Sequence, residues 1–533
     1  MAPHLIPTEG HVVGLVDLGT NSVRLLVVRI NANRSYTILN QHKVMVRLGE
    51  GEFVKQRLRP EAMERTILVL RRFADMARNL GAEEIYAVAT SATRDAENRD
   101  SFIERVRREA DIDLKVISGL EEARLIYLGV ASGVHLGNRN ALFIDIGGGS
   151  TEVVVGNQVE YSYLDSLKLG CIRLANIFFL PGEEEPVDDH RYALLRQYIR
   201  NASLRSVQRL AESDFDFVLG SSGTIETLAE IARRAPGRSK KREDEGDSVV
   251  TFGQIEAVIR KLRSATLSER RKIPGMTPER ADIIIPGAAI LHTLMQELKL
   301  REIRVCARSL KNGLLVDYLM RGTYGGYLEP EMSVREQSVL QLGRSCGFDE
   351  EHARHIAELC LQLFDGAAAI GLHDLGKRDR ELLFYAALLH DVGLFLSFSN
   401  HQAHSFYIIR NVELLGFHAQ EIAAIAATAF YHRKRAPKKS DPEFALPDAP
   451  SRKAVRVMSM FLRMAESMDR SHQRFVRRVE FVRRGDVIIL QITTIPGCQL
   501  EIWSLEEHIG TFAKLFGERF SIRTDTSPES GGV

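Results

Sequence analysis

Two stretches of the chain share one pattern of apolar and polar positions. In each, an apolar run rich in β-branched residues reaches an Asp-apolar-Gly triplet, passes through small polar residues to Ser, and returns to an apolar run. The stretches are VVGLVDLGTNSVRLLVV, from residue 12, and ALFIDIGGGSTEVVV, from residue 141. Two apolar runs joined by glycine and small polar residues are typical of a β-hairpin with a tight tip. The pattern therefore predicts two similar hairpins.

The segments around the hairpins alternate between helix and strand patterns. Residues 59–81 predict a helix with Pro60 near its start and Gly81 just past its end. The following segments, IYAVATSAT, LKVIS and GLEEARLIYLGV, predict two strands and a helix. A repeat of this length predicts two related α/β domains, at 11–127 and 128–325, facing each other across a cleft. The charged segment RRAPGRSKKREDEGDS predicts an exposed loop in the second domain.

Further along the chain, helical spacing of apolar residues replaces the strand pattern. Segments such as HARHIAELCLQLFD predict an all-helical domain at 330–475, in which the uniformly apolar run LLFYAALLHDVGLFLS predicts a buried helix. VEFVRRGDVIILQITT and CQLEIWSL then predict strands and EHIGTFAKLFGERF a helix, which make a small α+β domain at 476–525. The final DTSPESGGV predicts disorder. The predicted fold class is thus α/β plus all-α.

Composition narrows the classes of protein that fit this pattern. The 533 residues are enough for three or four domains, and 71 basic residues almost balance 70 acidic ones. This balance argues against a general nucleic-acid-binding protein but allows a local basic channel. No apolar run is long enough to span a bilayer, and the N-terminal residues do not resemble a signal peptide. The five cysteines form no CxxC pair, so we expect a reducing, cytoplasmic location.

The hairpin tips carry the first candidate chemistry. Asp17 and Asp145 end the first strand of each hairpin, where a carboxylate can hold a divalent metal directly or through water. The residues that follow are small, and successive backbone N–H groups at such a tip form an anion-binding nest. These residues are Gly19, Thr20, Asn21, Ser22 and Arg24 in the first copy and Gly147, Gly148, Gly149, Ser150, Thr151 and Glu152 in the second. One copy could be an ordinary turn; the repeat favours a phosphate clamp.

Three further segments allow both a functional and a structural interpretation. Ser118 followed by Glu121 fits a helix capping box, which leaves Glu122 free to activate or position a water, although both glutamates could simply favour the helix dipole. Arg94 follows a strand and could grip a terminal phosphate, or be a surface arginine beside Asp95. VLGSSGTIETLAEIA places Ser222 and Gly223 at a helix start, as an anion site or a well-capped helix.

The helical segment contains a different set of candidate ligands. In order these are His352, the adjacent pair His390 and Asp391, and Asp469, the ligand order of HD-type metal phosphohydrolases. A buried His-Asp pair needs a partner, for which a divalent metal is one candidate and a hydrogen-bonded core pair the other. His401, His404 and His432 could enlarge such a site. The basic clusters YHRKRAPKK and RRVEFVRR are either solvated surface or part of a path for a polyanion.

Together these motifs resemble the Ppx/GppA family of exopolyphosphatases and guanosine pentaphosphate phosphohydrolases. The resemblance rests on VDLGTNSVRLLV, ATSATR, ISGLEEARLI, IDIGGGSTE, GSSGT and the helical region, and covers nearly the whole chain. It implies two RNase H-like domains of the actin-like ATPase superfamily, a helical HD-type domain and a small C-terminal domain. It also implies Mg²⁺-dependent attack of water on a terminal phosphoryl group. Long members are often homodimers with polyphosphate in a basic channel.

The resemblance also implies roles for individual residues. Glu122 matches the catalytic glutamate, and Asp145 and Glu152 match metal-handling acidic residues. We assign Mg²⁺ to these two together with Asp17. The matched phosphate-binding positions are Asp17, Asn21, Ser22, Arg94, Gly147, Gly148 and Ser150, to which the helix start adds Ser222 and Gly223. A second divalent metal is expected at His352, His390, Asp391 and Asp469.

The resulting hypothesis is an exopolyphosphatase that releases inorganic phosphate from the end of polyphosphate. Neither nucleic acid nor a membrane segment enters this hypothesis. The nearest rival activity is hydrolysis of guanosine pentaphosphate, and the sequence does not separate the two. The motifs also fit a kinase or ATPase of the superfamily, a non-catalytic polyphosphate or nucleotide sensor, or a hydrolase centred on the helical domain.

Overall fold

The structure is a computed structural model that describes residues 10–235, 248–321 and 332–526, apart from positions 413, 434, 439 and 447. The described part of the chain divides into two compact units. Residues 10–31 and 36–334 form the larger unit, and residues 32–35 and 335–526 form the C-terminal unit. The finer division into four domains stays a prediction.

The larger unit is built from strands and helices in alternation. Its strands are β1 (Gly10–Leu18), β2 (Ser22–Asn31), β3 (Tyr36–Met45), β4 (Glu84–Ala89), β5 (Leu114–Val116), β6 (Ala141–Ile146), β7 (Thr151–Gly156), β8 (Tyr161–Leu167), β9 (Phe217–Ser221), β10 (Ser248–Thr251) and β11 (Glu302–Val305). Its helices are α1 (Glu52–Lys55), α2 (Pro60–Asn79), α3 (Ser91–Asp95), α4 (Arg99–Ala110), α5 (Gly119–Ala131), α6 (Cys171–Phe178), α7 (Asp189–Ala211), α8 (Ser222–Arg233), α9 (Phe252–Ser264), α10 (Leu267–Arg270), α11 (Ile284–Glu297) and α12 (Leu310–Arg321).

The two sheets of this unit have the same strand order. In the first the order is β3-β2-β1-β4-β5, with β1, β2 and β3 antiparallel and β4 and β5 parallel to β1. The second repeats this arrangement as β8-β7-β6-β9-β11 and adds β10 at the edge. This is the order of the RNase H-like fold found in actin-like proteins. The predicted duplication of an α/β motif is therefore confirmed.

Alternate side chains of the strands enter different cores, because successive residues of a strand point to opposite faces. Val12 and Val16 pack with α2 and α4, whereas Val13 and Leu15 pack with α5 and α12. The second of these cores also takes in Phe143, on β6, so α5 and α12 are packed between the two sheets. Strands covered on both faces are apolar throughout, which explains the continuous apolar runs in the sequence.

The C-terminal unit begins with helices and ends with a small sheet. Its elements are α13 (Val334–Ser345), α14 (Glu350–Ala369), α15 (Lys377–Leu389), α16 (His401–Asn411), α17 (Ala419–Phe430), α18 (Ala449–Met468), β12 (Val476–Arg484), β13 (Val487–Thr494), α19 (Gln499–Glu506), α20 (Ile509–Phe516) and β14 (Arg519–Thr526). The sheet order is β12-β13-β14, with β13 and β14 parallel. The predicted helical and α+β character is confirmed here, whereas the HD-type assignment stays a prediction.

Three predictions for this unit need correction. CQLEIWSL forms α19 rather than a strand, with buried Glu501 and Leu505 one helical turn apart. The apolar run from Leu382 is a buried helix only as far as Leu389, and Leu396 is exposed. The first two residues of DTSPESGGV end β14, and the others lie outside the described residues. The charged loop of the second domain lies almost entirely outside them as well.

Two composition-based predictions concern cysteines and membranes. All five cysteines are free thiols, and Cys171, Cys306, Cys346 and Cys360 are buried. Within the described residues, no helix combines the length and apolar character needed to cross a bilayer.

Candidate active site

The two hairpins have matching tips. The Gly19 N–H donates to the Ser22 carbonyl oxygen at 3.0 Å, and the Gly147 N–H donates to the Ser150 carbonyl oxygen at 2.9 Å. Leu18 and Ile146 precede the two tips, and Asp17 and Asp145 come one residue earlier. Asp145 lies opposite Glu152 in the antiparallel register. Each hairpin therefore has a carboxylate at the base of its glycine-containing tip, as the sequence predicts.

The tips lie against each other because the second one is made of glycine. A Cβ added at Gly148 would lie 2.9 Å from Thr20 Cβ, and one added at Gly149 would lie 2.4 Å from Ser91 Oγ and 2.7 Å from Thr20 Oγ1. Such separations are far shorter than van der Waals contact. Glycine is thus required here because the side chains of Thr20 and Ser91 occupy the space that a Cβ would need, which the repeat in the sequence indicated only indirectly.

We expect Gly149→Ala to destabilise the larger unit by about 1–3 kcal/mol, the usual cost of overpacking, and to lower activity by separating the tips. Urea unfolding measures the first effect and phosphate release the second. Gly253→Ala is the matched control, because a Cβ at Gly253 meets no atom of the described chain within 4 Å. Equal stability of the two variants would contradict this account of the tips.

The tips open into a cleft in which acidic side chains converge. Asp17 and Asp145 line the cleft beside Glu122, which is on the first turn of α5, and all three are less than 10% exposed. Glu152 is 1% exposed, lies outside the lining of the cleft, and accepts a hydrogen bond from Ser166 Oγ at 2.8 Å. The lining includes most of the residues predicted to bind metal and phosphate: Asp17, Asn21, Ser22, Asp145, Gly147, Gly148, Ser150, Ser222 and Gly223.

Burial and mutual repulsion raise the pKa values of these carboxyl groups. For Glu122 burial is the main cause and raises the pKa to about 7, with Arg94 opposing the shift and Asp17 and Asp145 adding to it. For Asp145 burial raises the pKa to about 6, against a hydrogen bond donated by Ser221 Oγ at 2.5 Å. Burial also raises the pKa values of Asp17 and Glu152. When all are ionised, the three carboxylates that line the cleft outnumber its two lining arginines, Arg24 and Arg280.

This charge imbalance fits a hard divalent cation. Carboxylate oxygens are the ligands that Mg²⁺ takes in proteins, usually one or two of them together with water and phosphate oxygens. The carboxamide of Asn21 is buried at the same place, and within the described chain neither its nitrogen nor its oxygen has a hydrogen-bond partner. An unpaired buried carboxamide is costly unless a ligand satisfies it. Asp17, Asp145 and Glu152 are thus suited to Mg²⁺, and Asn21 to a phosphate.

We expect Mg²⁺ to stabilise the protein more strongly at high pH. Glu122 and Asp145 bind protons more tightly in the folded chain than in the unfolded one, so without metal the free energy of unfolding falls as pH rises from about 4 through 7. Mg²⁺ favours the ionised carboxylates and offsets this loss. Thermal unfolding with and without Mg²⁺ should show a larger shift in Tm at about pH 8 than at about pH 5. Equal shifts would show that these carboxyl groups do not face the metal.

The structure contradicts one of the two interpretations of Arg94, that of a surface arginine beside Asp95, and leaves its grip on a phosphate as a prediction. Its Nη1 donates to Glu122 Oε2 at 3.0 Å and to the Ile117 carbonyl oxygen at 3.0 Å. Arg94 is therefore not a surface residue paired with Asp95; that carboxylate accepts a hydrogen bond from Arg173. Arg94 lines a pocket that shares Ser150 with the main cleft, so it can reach a phosphate held there.

The two glutamates of α5 have different surroundings. Ser118 Oγ accepts the Glu121 N–H at 3.1 Å, which is the Ser118 half of the predicted capping box. The Glu121 carboxylate accepts two hydrogen bonds from Arg124, which anchors it on the helix surface. Glu122 instead lies in the cleft. A favourable interaction with the helix dipole therefore does not by itself explain why Glu122 lies in the cleft.

The start of α8 lies beside a buried cation that no sequence motif selects. Ser222 has a left-handed backbone, with φ at 86°, and its Oγ donates to the Ile146 carbonyl oxygen at 2.8 Å. A Cβ at Gly223 would lie 2.3 Å from Arg280 Nη2, so the guanidinium rests on the helix N-terminus. Strained backbone at such a position is often functional. Arg280 comes from a charged segment without any motif, and no sequence signal pointed to it.

The C-terminal unit brings together most of its predicted ligands. Potential ligand atoms of His352, His390 and Asp391 lie within 4.8 Å of one another. The fourth predicted ligand, Asp469, instead accepts a hydrogen bond at Oδ1 from the Arg474 N–H at 2.7 Å and lies with Oδ2 2.8 Å from His352 Nδ1. A buried carboxylate that was not predicted from the sequence, Glu466, is also present.

Comparison with known proteins agrees with this geometry. Residues 26–321 match the model of the Ppx/GppA phosphatase family, and residues 334–506 match the model of domain III of Ppx/GppA phosphatases. An exopolyphosphatase from Cytophaga hutchinsonii is 28% identical, with a TM-score of 0.52, and the match covers 58% of this chain and 98% of that one. An exopolyphosphatase-like protein is 26% identical with the same TM-score and the same coverage. The chain belongs to the Ppx/GppA phosphatase family.

Proposed function

We propose that this protein is an exopolyphosphatase that uses Mg²⁺ to release terminal phosphate from inorganic polyphosphate. The observation that carries the proposal is the pair of facing hairpin tips with Glu122, Asp17 and Asp145 in one cleft. Backbone N–H groups at the tips suit a phosphate, and the buried carboxylates suit a cation bound to it. The name of the exopolyphosphatase from Cytophaga hutchinsonii supports the same substrate class.

A basic pocket next to the cleft supports a long polyanion as substrate. Its described lining is Arg24, Gln41, His42, Lys43, Glu226, Ala307, Ser309 and Lys311, of which Arg24 and Ser309 also line the cleft. Burial, followed by the nearby cations Arg24, Arg280 and Lys311, lowers the pKa of Lys43 to about 8. Cations that repel one another in this way gain stability from an anion between them. The pocket thus suits further phosphates of the same chain.

The proposed mechanism relies mainly on positioning and electrostatics, as in other phosphoryl transfers. The tip N–H groups hold the terminal phosphate, Asn21 donates to it from the first tip, and Arg94 approaches from the side of Ser150. When bound, Mg²⁺ supplies positive charge to the phosphate oxygens. Glu122 orients a water toward phosphorus and accepts its proton. The P–O bond to the remaining polyphosphate breaks, and inorganic phosphate leaves.

The direct test compares phosphate release from long-chain polyphosphate, guanosine pentaphosphate and ATP under identical conditions with Mg²⁺. Fastest release from polyphosphate is the expected result. A preference for guanosine pentaphosphate would make the protein a pentaphosphatase, and a preference for ATP would make it an ATPase. Folded protein that binds polyphosphate without releasing phosphate would be a sensor. The predicted homodimer and the cytoplasmic location stay predictions.

We expect Lys43→Gln to raise KM for long polyphosphate about five-fold, the size of effect that follows from losing about 1 kcal/mol of binding. KM for triphosphate should change little, because a short chain does not extend from the cleft into the basic pocket. Lys55→Gln is the matched control, since Lys55 is an exposed lysine on α1. An equal change in KM for both substrates would contradict the assignment of the pocket to the distal phosphates.

A further inference from the structure

The C-terminal unit contains a buried cluster in which four imidazoles face two carboxylates. We call it the histidine cluster; its members are His352, His390, His401, His432, Asp391 and Glu466. The four histidines are at most 3% exposed, and Asp391 is the most exposed ligand, at 18% of its side chain. These residues come from α14, the end of α15, the start of α16, the end of α17, and α18. The exopolyphosphatase mechanism does not use them.

The first two histidines have their Nδ1 atoms anchored. His390 Nδ1 lies 2.7 Å from the Ala387 carbonyl oxygen, and His352 Nδ1 lies 2.8 Å from Asp469 Oδ2. A carbonyl oxygen or an ionised carboxylate can only accept, so each Nδ1 carries the proton and donates it. In the neutral ring, Nε2 then presents a lone pair. In this geometry Asp469 positions His352, and its assignment as a metal ligand stays a prediction.

The other two histidines also have a carbonyl oxygen at Nδ1. His432 Nδ1 lies 2.6 Å from the Ala429 carbonyl oxygen, and His401 Nδ1 lies 3.0 Å from the Phe398 carbonyl oxygen, with Arg433 Nη1 a further contact at 3.4 Å. All four rings thus direct Nε2 into the cluster. Second-sphere hydrogen bonds of this kind, from Nδ1 to a carbonyl or carboxylate oxygen, are characteristic of metal-ligating histidines.

The Nε2 atoms converge on the two oxygens of Asp391. On one side, Oδ1 lies 3.2 Å from His401 Nε2 and 3.6 Å from His432 Nε2, and these two nitrogens are 3.2 Å apart. On the other side, Oδ2 lies 3.6 Å from His390 Nε2. The ligand atoms form two groups, His352 with His390 and Asp391, and His401 with His432 and Asp391, each within 4.8 Å. Asp391 belongs to both groups.

Glu466 adds an acceptor to the first group. Its Oε2 lies 3.2 Å from His390 Nε2 and 3.4 Å from His352 Nε2. When all four rings are neutral, the inward Nε2 atoms and the two carboxylates are all acceptors, so a contact as short as the 3.2 Å between His390 Nε2 and Glu466 Oε2 requires either an added proton or a metal cation. His352 Nε2 and Asp391 Oδ1 are buried, and their near contacts, to Glu466 Oε2 and His401 Nε2, do not have hydrogen-bond geometry in the described chain. Buried acceptors that face each other cost free energy unless a cation lies between them.

We propose that the histidine cluster is a dinuclear metal centre. One divalent ion is bound by His352, His390 and Asp391, with Glu466 in reach, and a second by His401, His432 and the same Asp391 as a bridging carboxylate. Imidazole-rich ligand sets favour first-row transition metals such as Zn²⁺, Fe²⁺ and Co²⁺, whereas Mg²⁺ prefers oxygen ligands. The protein would thus take different metals at its two centres, Mg²⁺ in the cleft and transition-metal ions here.

The test measures metal content rather than phosphate release. Full-length protein is stripped with a chelator, incubated with Co²⁺ or Zn²⁺ in the presence of excess Mg²⁺, desalted, and analysed for metal. We expect wild type to retain two ions per chain, one for each ligand group, and bound Co²⁺ to show the absorption bands of a histidine-ligated ion. His432→Gln should lose the second ion and keep the first.

Two controls separate the proposal from misfolding and from the proposed function. His404→Gln alters a partly buried histidine of α16 that lies outside both ligand groups and should keep two ions. Glu122→Gln should also keep both, whether or not it releases phosphate. Circular dichroism shows that each variant is folded. Folded wild type that retains fewer than two ions, or a folded His432→Gln variant that retains as many as wild type, overturns the dinuclear assignment.

Discussion

Replacing Glu122 by Gln is expected to lower phosphate release from polyphosphate by about 10²–10⁴-fold, the range for loss of a general acid–base group. The amide keeps the shape of the side chain but cannot accept a proton from water. A pKa of about 7 suits the carboxyl group to this task, because near neutral pH it is partly ionised and basic enough to accept a proton. The measurement is the steady-state rate with saturating Mg²⁺ and polyphosphate.

Glu121→Gln is the control for this prediction. It makes the same chemical change one residue earlier in α5, where the carboxylate pairs with Arg124 at the helix surface, and should leave the rate within about two-fold of wild type. Polyphosphate binding by the Glu122→Gln variant should persist, because the tips that hold the phosphate are unchanged. Near-normal phosphate release by a folded Glu122→Gln variant would falsify the catalytic assignment.

Asp145→Asn is expected to reduce the rate by about 10²–10³-fold at limiting Mg²⁺, because the charge provided by a catalytic metal is worth several kcal/mol in the transition state. The amide removes one of the buried negative charges that attract the cation. It also removes the carboxylate that accepts the hydrogen bond from Ser221 Oγ. The rate should be measured over a range of Mg²⁺ concentrations. We expect the concentration for half-maximal activity to rise and part of the rate to return at high Mg²⁺.

Asp75→Asn provides the matched control, since Asp75 is an exposed aspartate on α2 and should have a Mg²⁺ dependence like that of wild type. The magnesium assignment fails if wild type keeps its full rate after chelation of all divalent ions. It also fails if Asp145→Asn has an unchanged Mg²⁺ requirement.

The elements nearest the cleft were largely predictable because their signals are local. A glycine tip between two apolar runs forms a hairpin whatever surrounds it, and the same holds for Ser118 as a helix cap. The segment CQLEIWSL shows the limit of local patterns. Its alternating residues fit a strand, but it forms a helix, with Glu501 buried, in the segment that connects the parallel strands β13 and β14. Parallel strands need a crossover connection, which requires a helix here.

Contacts between distant segments were beyond the reach of the sequence. The pairing of Arg94 with Glu122 joins residues whose individual patterns left both roles open. It forms because β4 and β5 are adjacent parallel strands, so α3 and α5, which follow them, begin at the same edge of the sheet. Arg280 belongs to no motif, yet its guanidinium lies on Gly223 in the cleft. Glu466 and the second pair of histidines likewise enter their cluster through helix packing.

The sequence by itself predicted the repeated Asp-apolar-Gly hairpin, the alternation of strands and helices, and the residue types suited to phosphate and metal. These features depend on neighbours within a few positions of the chain. The tertiary structure added the contact between Gly149 and Thr20, the pKa of Glu122 and the direction of each imidazole Nε2. These properties depend on burial and on distances of a few ångströms between atoms far apart in the chain. Electrostatic and steric energies change steeply over such distances, and no local pattern encodes them.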